Sequence, residues 1–88
     1  MKNFIVYCHN TKKIFDQPEA RELFLQRLND LMREDLLQHV YQSESQDQIW
    51  MVLNMEDIET LKMVLLPMSL EWDFELEIVP LRRKSEKL

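Results

Sequence analysis

The side chains with the widest chemical repertoire in this chain are one cysteine and two histidines: Cys8, His9 and His39. A catalytic thiol needs a base within hydrogen-bonding reach, and that base needs a third group to orient it. Cys8 and His9 are sequence neighbours at the end of an apolar run, Phe4-Ile5-Val6-Tyr7-Cys8, that reads as a strand. Adjacent side chains of a strand point to opposite faces, so these two cannot pair directly. His39 can approach one of them across a sheet, yet no orienting third group accompanies it. Two histidines and one cysteine also lack the ligand spacings of zinc sites. The carboxylate pairs Glu34-Asp35 and Glu56-Asp57 read as a solvated helix end and as an acidic first turn that complements a helix dipole. A nuclease acid at the end of the first strand is missing too, because Asn10 stands there. The expectation is a buried Cys8, surface His9 and His39, no catalytic residue, no cofactor and no metal.

The composition excludes further chemistry. There is no glycine, where average usage of about 7% would supply roughly six. Phosphate-cradling loops, dinucleotide fingerprints and the nucleophile elbow all need positions without a Cβ, so those sites are excluded. With 88 residues and 45% apolar side chains, the chain reads as one small folded domain. The lone cysteine forbids an internal disulfide and fits a reducing compartment, so a cytoplasmic location is expected. The N-terminal apolar run is too short for a signal peptide or a membrane span.

Charge is unevenly spread. The net charge is −5, and between Glu44 and Glu77 nine acids face a single base, Lys62. Arg82, Arg83, Lys84 and Lys87 then make the last residues basic. An acidic body repels nucleic acid and speeds encounter with basic proteins.

The elements that must position these groups follow from periodicity. After a polar loop in which Ile14 and Phe15 fold back as a staple, Asp16-Gln17-Pro18-Glu19 predicts a helix start with Asp16 as the capping acid. Ala20, Leu23, Phe24, Leu28, Leu31 and Met32 give the apolar stripe of a helix over 18–36. His39-Val40-Tyr41 suits a strand, and the polar stretch 43–48 predicts a long, loose turn. Gln48–Leu53 alternates as a strand, with Ile49, Met51 and Leu53 on one face and Trp50 and Val52 on the other. Asn54 is expected to cap a second helix that Pro67 ends near Leu66, leaving 68–72 as a connector. Phe74, Leu76 and Ile78 alternate with Glu75 and Glu77 in a last strand that Pro80 stops.

The order β-α-β-β-α-β resembles the ferredoxin-like plait. The predicted fold is thus α+β: a four-stranded antiparallel sheet with two helices on one face, covering residues 1–80, and a flexible basic tail over 81–88. The first and third strands are expected at the centre, where the most apolar segments belong. The other sheet face stays open. Glu75 and Glu77 point to it if Phe74, Leu76 and Ile78 face the helices, and Trp50 shares it; for the first strand, either Phe4, Val6 and Cys8 or Ile5, Tyr7 and His9 must look outward.

Aromatics on two central strands resemble the layout of an RNA-recognition motif. The third strand lacks that family's glycine and paired aromatics, and Glu75 and Glu77 would repel phosphate. Neither the phosphate loop of acylphosphatases nor the Cys-x-x-Cys of heavy-metal carriers is present. The expected function is therefore that of a small acidic, non-catalytic interaction protein, an inhibitor, immunity protein, adaptor or nucleic-acid mimic, that binds a basic partner protein. Tyr7 and Trp50 would anchor the partner, and Glu71, Asp73, Glu75 and Glu77 would steer it. The alternatives are a homodimeric regulatory domain joined through the open face, and a nucleic-acid-processing or RNA-binding domain.

Overall fold

The computed structural model describes residues 2–82; from Arg83 on, the expected basic tail lies outside them. The chain runs β1 (Lys2–His9), α1 (Lys12–Phe15), α2 (Pro18–Arg33), β2 (Leu37–Gln42), β3 (Gln48–Met55), α3 (Ile58–Trp72) and β4 (Glu75–Leu81). The fold is α+β. The strands form one sheet in the order β2-β3-β1-β4, with every neighbouring pair antiparallel. β1 and β3 are central, as their apolar character requires. Phe4, Val6 and Cys8 of β1 and Ile49, Met51, Leu53 and Met55 of β3 join Phe24, Leu28 and Leu31 of α2 and Leu61, Leu65 and Met68 of α3 in one core. At the centre of the helix layer, Phe24 makes edge-to-face contacts with Phe15, Trp72 and Phe74, at centroid distances of 5.9, 5.6 and 5.9 Å.

The segment after β1 is more than a loop. Asn10 turns left-handed, Thr11 is buried, and Lys12–Phe15 form a helical turn that drives Ile14 and Phe15 into the core. The Thr11 N–H donates to the Asp47 carbonyl at 3.1 Å and its hydroxyl to the Gln46 carbonyl at 2.9 Å, tying this corner to the β2–β3 connection. That connection is long, as expected. Ser43 and Ser45 both donate to Asp47 Oδ1, the former at 3.1 Å. These two donors hold the Asp47 carboxyl below its ordinary pKa.

Helix boundaries depart from expectation in four places, each for an identifiable reason. Asp16 does not cap α2; it closes α1, its N–H donating to the Lys12 carbonyl, and Gln17 takes the N-cap position without a side-chain bond. α2 stops at Arg33 rather than Leu36, because Asp35 adopts φ 60°. The Asp35 and Leu36 N–H groups then close back on the Met32 and Leu31 carbonyls, the Schellman arrangement usually made with glycine. Asn54 does not cap α3 but continues β3, its N–H donating to the Leu36 carbonyl at 2.7 Å. Asp57 caps instead, accepting from the Thr60 N–H at 2.8 Å, which lowers its own pKa.

Pro67 does not end α3, which continues to Trp72. Met68 is buried, and Trp72 packs on Phe24. Those contacts outweigh an interior proline's penalty of about 3 kcal/mol. Pro80 likewise does not stop β4, which reaches Leu81 with Pro80 opposite Phe4. β4 is an edge strand, and proline's missing N–H is tolerated where no neighbour requires it.

Candidate docking surface

Period-two burial settles the orientation of the central strands. Phe4, Val6 and Cys8 point into the core, so Ile5, Tyr7 and His9 lie on the opposite, uncovered face and are half-buried there. Trp50 and Val52 of β3 share that face, while Ile49, Met51 and Leu53 are core. On β4 the exposed Glu75 and Glu77 alternate with half-buried Leu76 and Ile78, which pack against the core.

Strand register collects these residues into rows. Tyr41 is opposite Trp50, Trp50 opposite Tyr7, and Tyr7 opposite Glu77, so one row crosses all four strands. At an interstrand spacing of about 4.8 Å the row spans about 14 Å. On one side lies the row Gln48, His9, Glu75, and on the other His39, Val52, Ile5, Val79. Tyr7 is engaged twice: Trp50 stacks on it at 5.0 Å with 13° between the planes, and the His9 ring sits at 3.8 Å, tilted by 36°. Tyr41, 62% exposed, stacks instead on His39 at 6.4 Å. The aromatic rings are thereby held upright by one another on a rigid sheet, with carboxylates at the β4 edge.

The carboxylate nearest an imidazole is Glu77, whose Oε2 is 3.8 Å from His9 Nε2. That distance is too long for a hydrogen bond. His9 Nε2 is shielded from solvent and has no hydrogen-bond partner among the described residues.

Four of the six sequence-predicted site residues, Tyr7, Trp50, Glu75 and Glu77, therefore meet on one surface. Glu71 and Asp73 lie apart from it. Glu71 belongs to α3, in the helix layer, where it borders clefts beside α2. Asp73 is the left-handed C-cap of that helix, with Oδ2 3.6 Å from Lys13 Nζ. It borders a cleft of about 600 Å³ at the end of the sheet, shared with Asn10, Lys12, Lys13, Asp47 and Glu75. Sequence reasoning put His39 on the surface and Tyr41 on a strand but assigned neither to this face. Their signal was the period-two spacing on β2, readable only once the hairpin register placed Tyr41 beside Trp50.

The groups considered for catalysis are not assembled. Cys8 is in the core, where burial pushes its thiol up to about 12, so it stays protonated at neutral pH. His9 faces the other way, and His39 is two strands from His9 and in a different row. Among the described residues, no three His, Cys, Asp or Glu side chains come together in a way that could hold a metal ion. No described helix is long and apolar enough to cross a membrane. Compared with known proteins, the chain matches no family model and no curated sequence.

Proposed function

We propose that this protein is a small acidic, non-catalytic interaction protein, built as a ferredoxin-like plait, whose uncovered sheet face docks a basic partner protein. One observation carries the reading: a single register row sets Trp50, Tyr7 and Glu77 side by side on the face away from the helices. Aromatic side chains held rigid by neighbours lose little entropy on binding and anchor interfaces well. Glu75 and Glu77 lie immediately beside them, and carboxylates at that edge of the face accelerate approach of a cationic surface. The protein would act by occupying that surface, as an inhibitor, immunity protein, adaptor or nucleic-acid mimic does. The lone protonated thiol is compatible with work in a reducing compartment such as the cytoplasm.

A reading as an RNA-binding face finds less support. Tyr7 is already stacked on Trp50 and His9, and two carboxylates border the row, where phosphates would have to lie.

The test is affinity capture from the source cell at low and high salt, followed by association-rate measurements on the purified pair. The expected partner is basic. Its association rate should fall steeply with salt, Glu75→Gln with Glu77→Gln should flatten that dependence, and Trp50→Ala should speed dissociation. An association rate independent of salt, or binding indifferent to Trp50→Ala, refutes the reading.

A further inference from the structure

Both long helices show apolar side chains to solvent, but on α2 the half-exposed Leu23 lies on one flank of the buried stripe and Leu25 and Met32 on the other, so they form no single outer stripe. α3 buries Leu61, Leu65 and Met68, yet Met63, Leu66 and Leu70 are 78, 48 and 83% exposed. These three recur at helical spacing along the outer side of α3, with Pro67 between them. A single exposed leucine requires no explanation, but a continuous apolar stripe does. The stripe belongs to the helix layer, whereas the aromatic row lies on the other face of the sheet, so the docking reading does not account for it.

The arrangement of the stripe identifies what fits it. It is symmetric about the Leu66–Pro67 peptide bond: Met63 on one side balances Leu70 on the other, and Lys62 balances Glu71. At about 100° per residue, Lys62 and Glu71 fall on opposite flanks of the stripe. We propose that this face binds the same face of a second copy of the chain, α3 against α3, antiparallel about a two-fold axis that passes between the two helices level with the Leu66–Pro67 bond.

In that pair Met63 of each copy lies level with Leu70 of the other, Leu66 and Pro67 meet at the axis, and Lys62 comes level with Glu71. Crossing the helices at about −50°, the commonest class of helix packing, swings those two flanks together, so that each lysine faces a glutamate of the other copy. The contact is self-complementary and closes as a dimer. A parallel pair would set Lys62 level with Lys62 and Glu71 level with Glu71. An anionic lipid surface fits poorly, because Glu59 and Glu71 of α3 and Asp30 and Glu34 of α2 border the stripe against two bases, Lys62 and Arg27. The dimer leaves both aromatic sheet faces free and so presents two docking surfaces.

Sedimentation velocity on the full chain, over a wide range of concentration, tests this. The wild type is expected to reach twice the monomer mass reversibly. Met63→Glu with Leu70→Glu should remain monomeric while keeping its circular dichroism spectrum. Lys62→Glu should weaken association about tenfold or more, and adding Glu71→Lys should restore it, since each single change places like charges opposite one another. Under mild oxidation Leu66→Cys, next to the axis, should form a covalent dimer. Met63→Cys should not, because its two copies are about 10 Å apart along the helices, beyond disulfide reach. A strictly monomeric wild type overturns the proposal. So does a dimer that survives the double glutamate variant or dissociates on Trp50→Ala instead. A charge swap that fails to restore association overturns the antiparallel geometry.

Discussion

A chain without glycine must make its left-handed turns with other residues, and among the described residues four do so: Asn10, Asp35, Gln46 and Asp73, at φ 62, 60, 66 and 52°. Asparagine and aspartate tolerate that region better than other L-residues, which leaves Gln46 as the most strained position. Its backbone N–H donates to the Ser43 carbonyl, and its carbonyl accepts from the Thr11 hydroxyl; neither bond needs the side chain. Gln46→Gly should therefore stabilise the fold. Relief of the left-handed conformation is worth about 1–2 kcal/mol, and the extra freedom that glycine gives the unfolded chain offsets about 0.5–1 kcal/mol. The net gain is about 0.5–1 kcal/mol, or a rise in Tm of about 2–8 °C for a domain of this size. The control is Gln42→Gly in the extended strand β2, where no positive φ is relieved and a loss of about 0.5–1 kcal/mol is expected. Thermal and urea unfolding followed by circular dichroism, at one protein concentration, reads both. If Gln46→Gly lowers Tm as Gln42→Gly does, the strain argument is wrong.

Pro67→Ala returns a backbone donor to the Met63 carbonyl in the interior of α3 and should raise stability by about 1–2 kcal/mol, less than the full proline penalty because proline also restricts the unfolded chain; a lower Tm at matched concentration would contradict this. Asp57 and Asp47 both have carboxyl pKa values depressed in the folded state, by the Thr60 N–H and by the Ser45 and Ser43 hydroxyls respectively. A depressed folded pKa contributes stability that is present above the unfolded value of about 3.9 and is lost as pH falls through the folded one. Asp57→Asn keeps a capping acceptor but removes the titration, so the fall in stability on acidification below about pH 4 should become shallower. An unchanged acid limb in urea midpoints measured across that range would refute the assignment.

The parts of the fold that were readable in advance are those set by hydrophobic period alone. β1 and β3 announce themselves by apolar content, and the alternation of Phe74, Leu76 and Ile78 with Glu75 and Glu77 placed both glutamates on the uncovered face. Local signals failed where tertiary contacts compete with them. Asn54 and Asp57 are both good N-caps, and the choice fell to the backbone bond from Asn54 to Leu36, which lies in a segment far away in sequence. Pro67 is a strong stop signal, overruled by the burial of Met68 and the packing of Trp72. Glu71 and Asp73 were grouped with Glu75 and Glu77 by proximity in the chain, yet the left-handed cap at Asp73 separates the helix layer from β4. For the candidate surface, composition supplied Tyr7 and Trp50. Tyr41 and His39 joined them only through the β2–β3 register.

The sheet edges explain why function is better sought on faces than along strands. An exposed edge invites a partner strand, through which many small α+β proteins bind extended peptides. Here both edges are blunted. β4 carries Pro80, which cannot donate, together with the exposed charges of Glu75 and Glu77. β2 is interrupted between Leu37 and His39, where its register against β3 shifts. A partner adding a strand to either edge would meet a missing donor on one side and a bulged ladder on the other. What remains is one sheet face carrying mutually stacked aromatics and one helix face carrying a symmetric apolar stripe, on opposite sides of the core. Two surfaces so disposed can be occupied at once, so changes to Trp50 should leave self-association intact and changes to Leu70 should leave partner binding at each site intact.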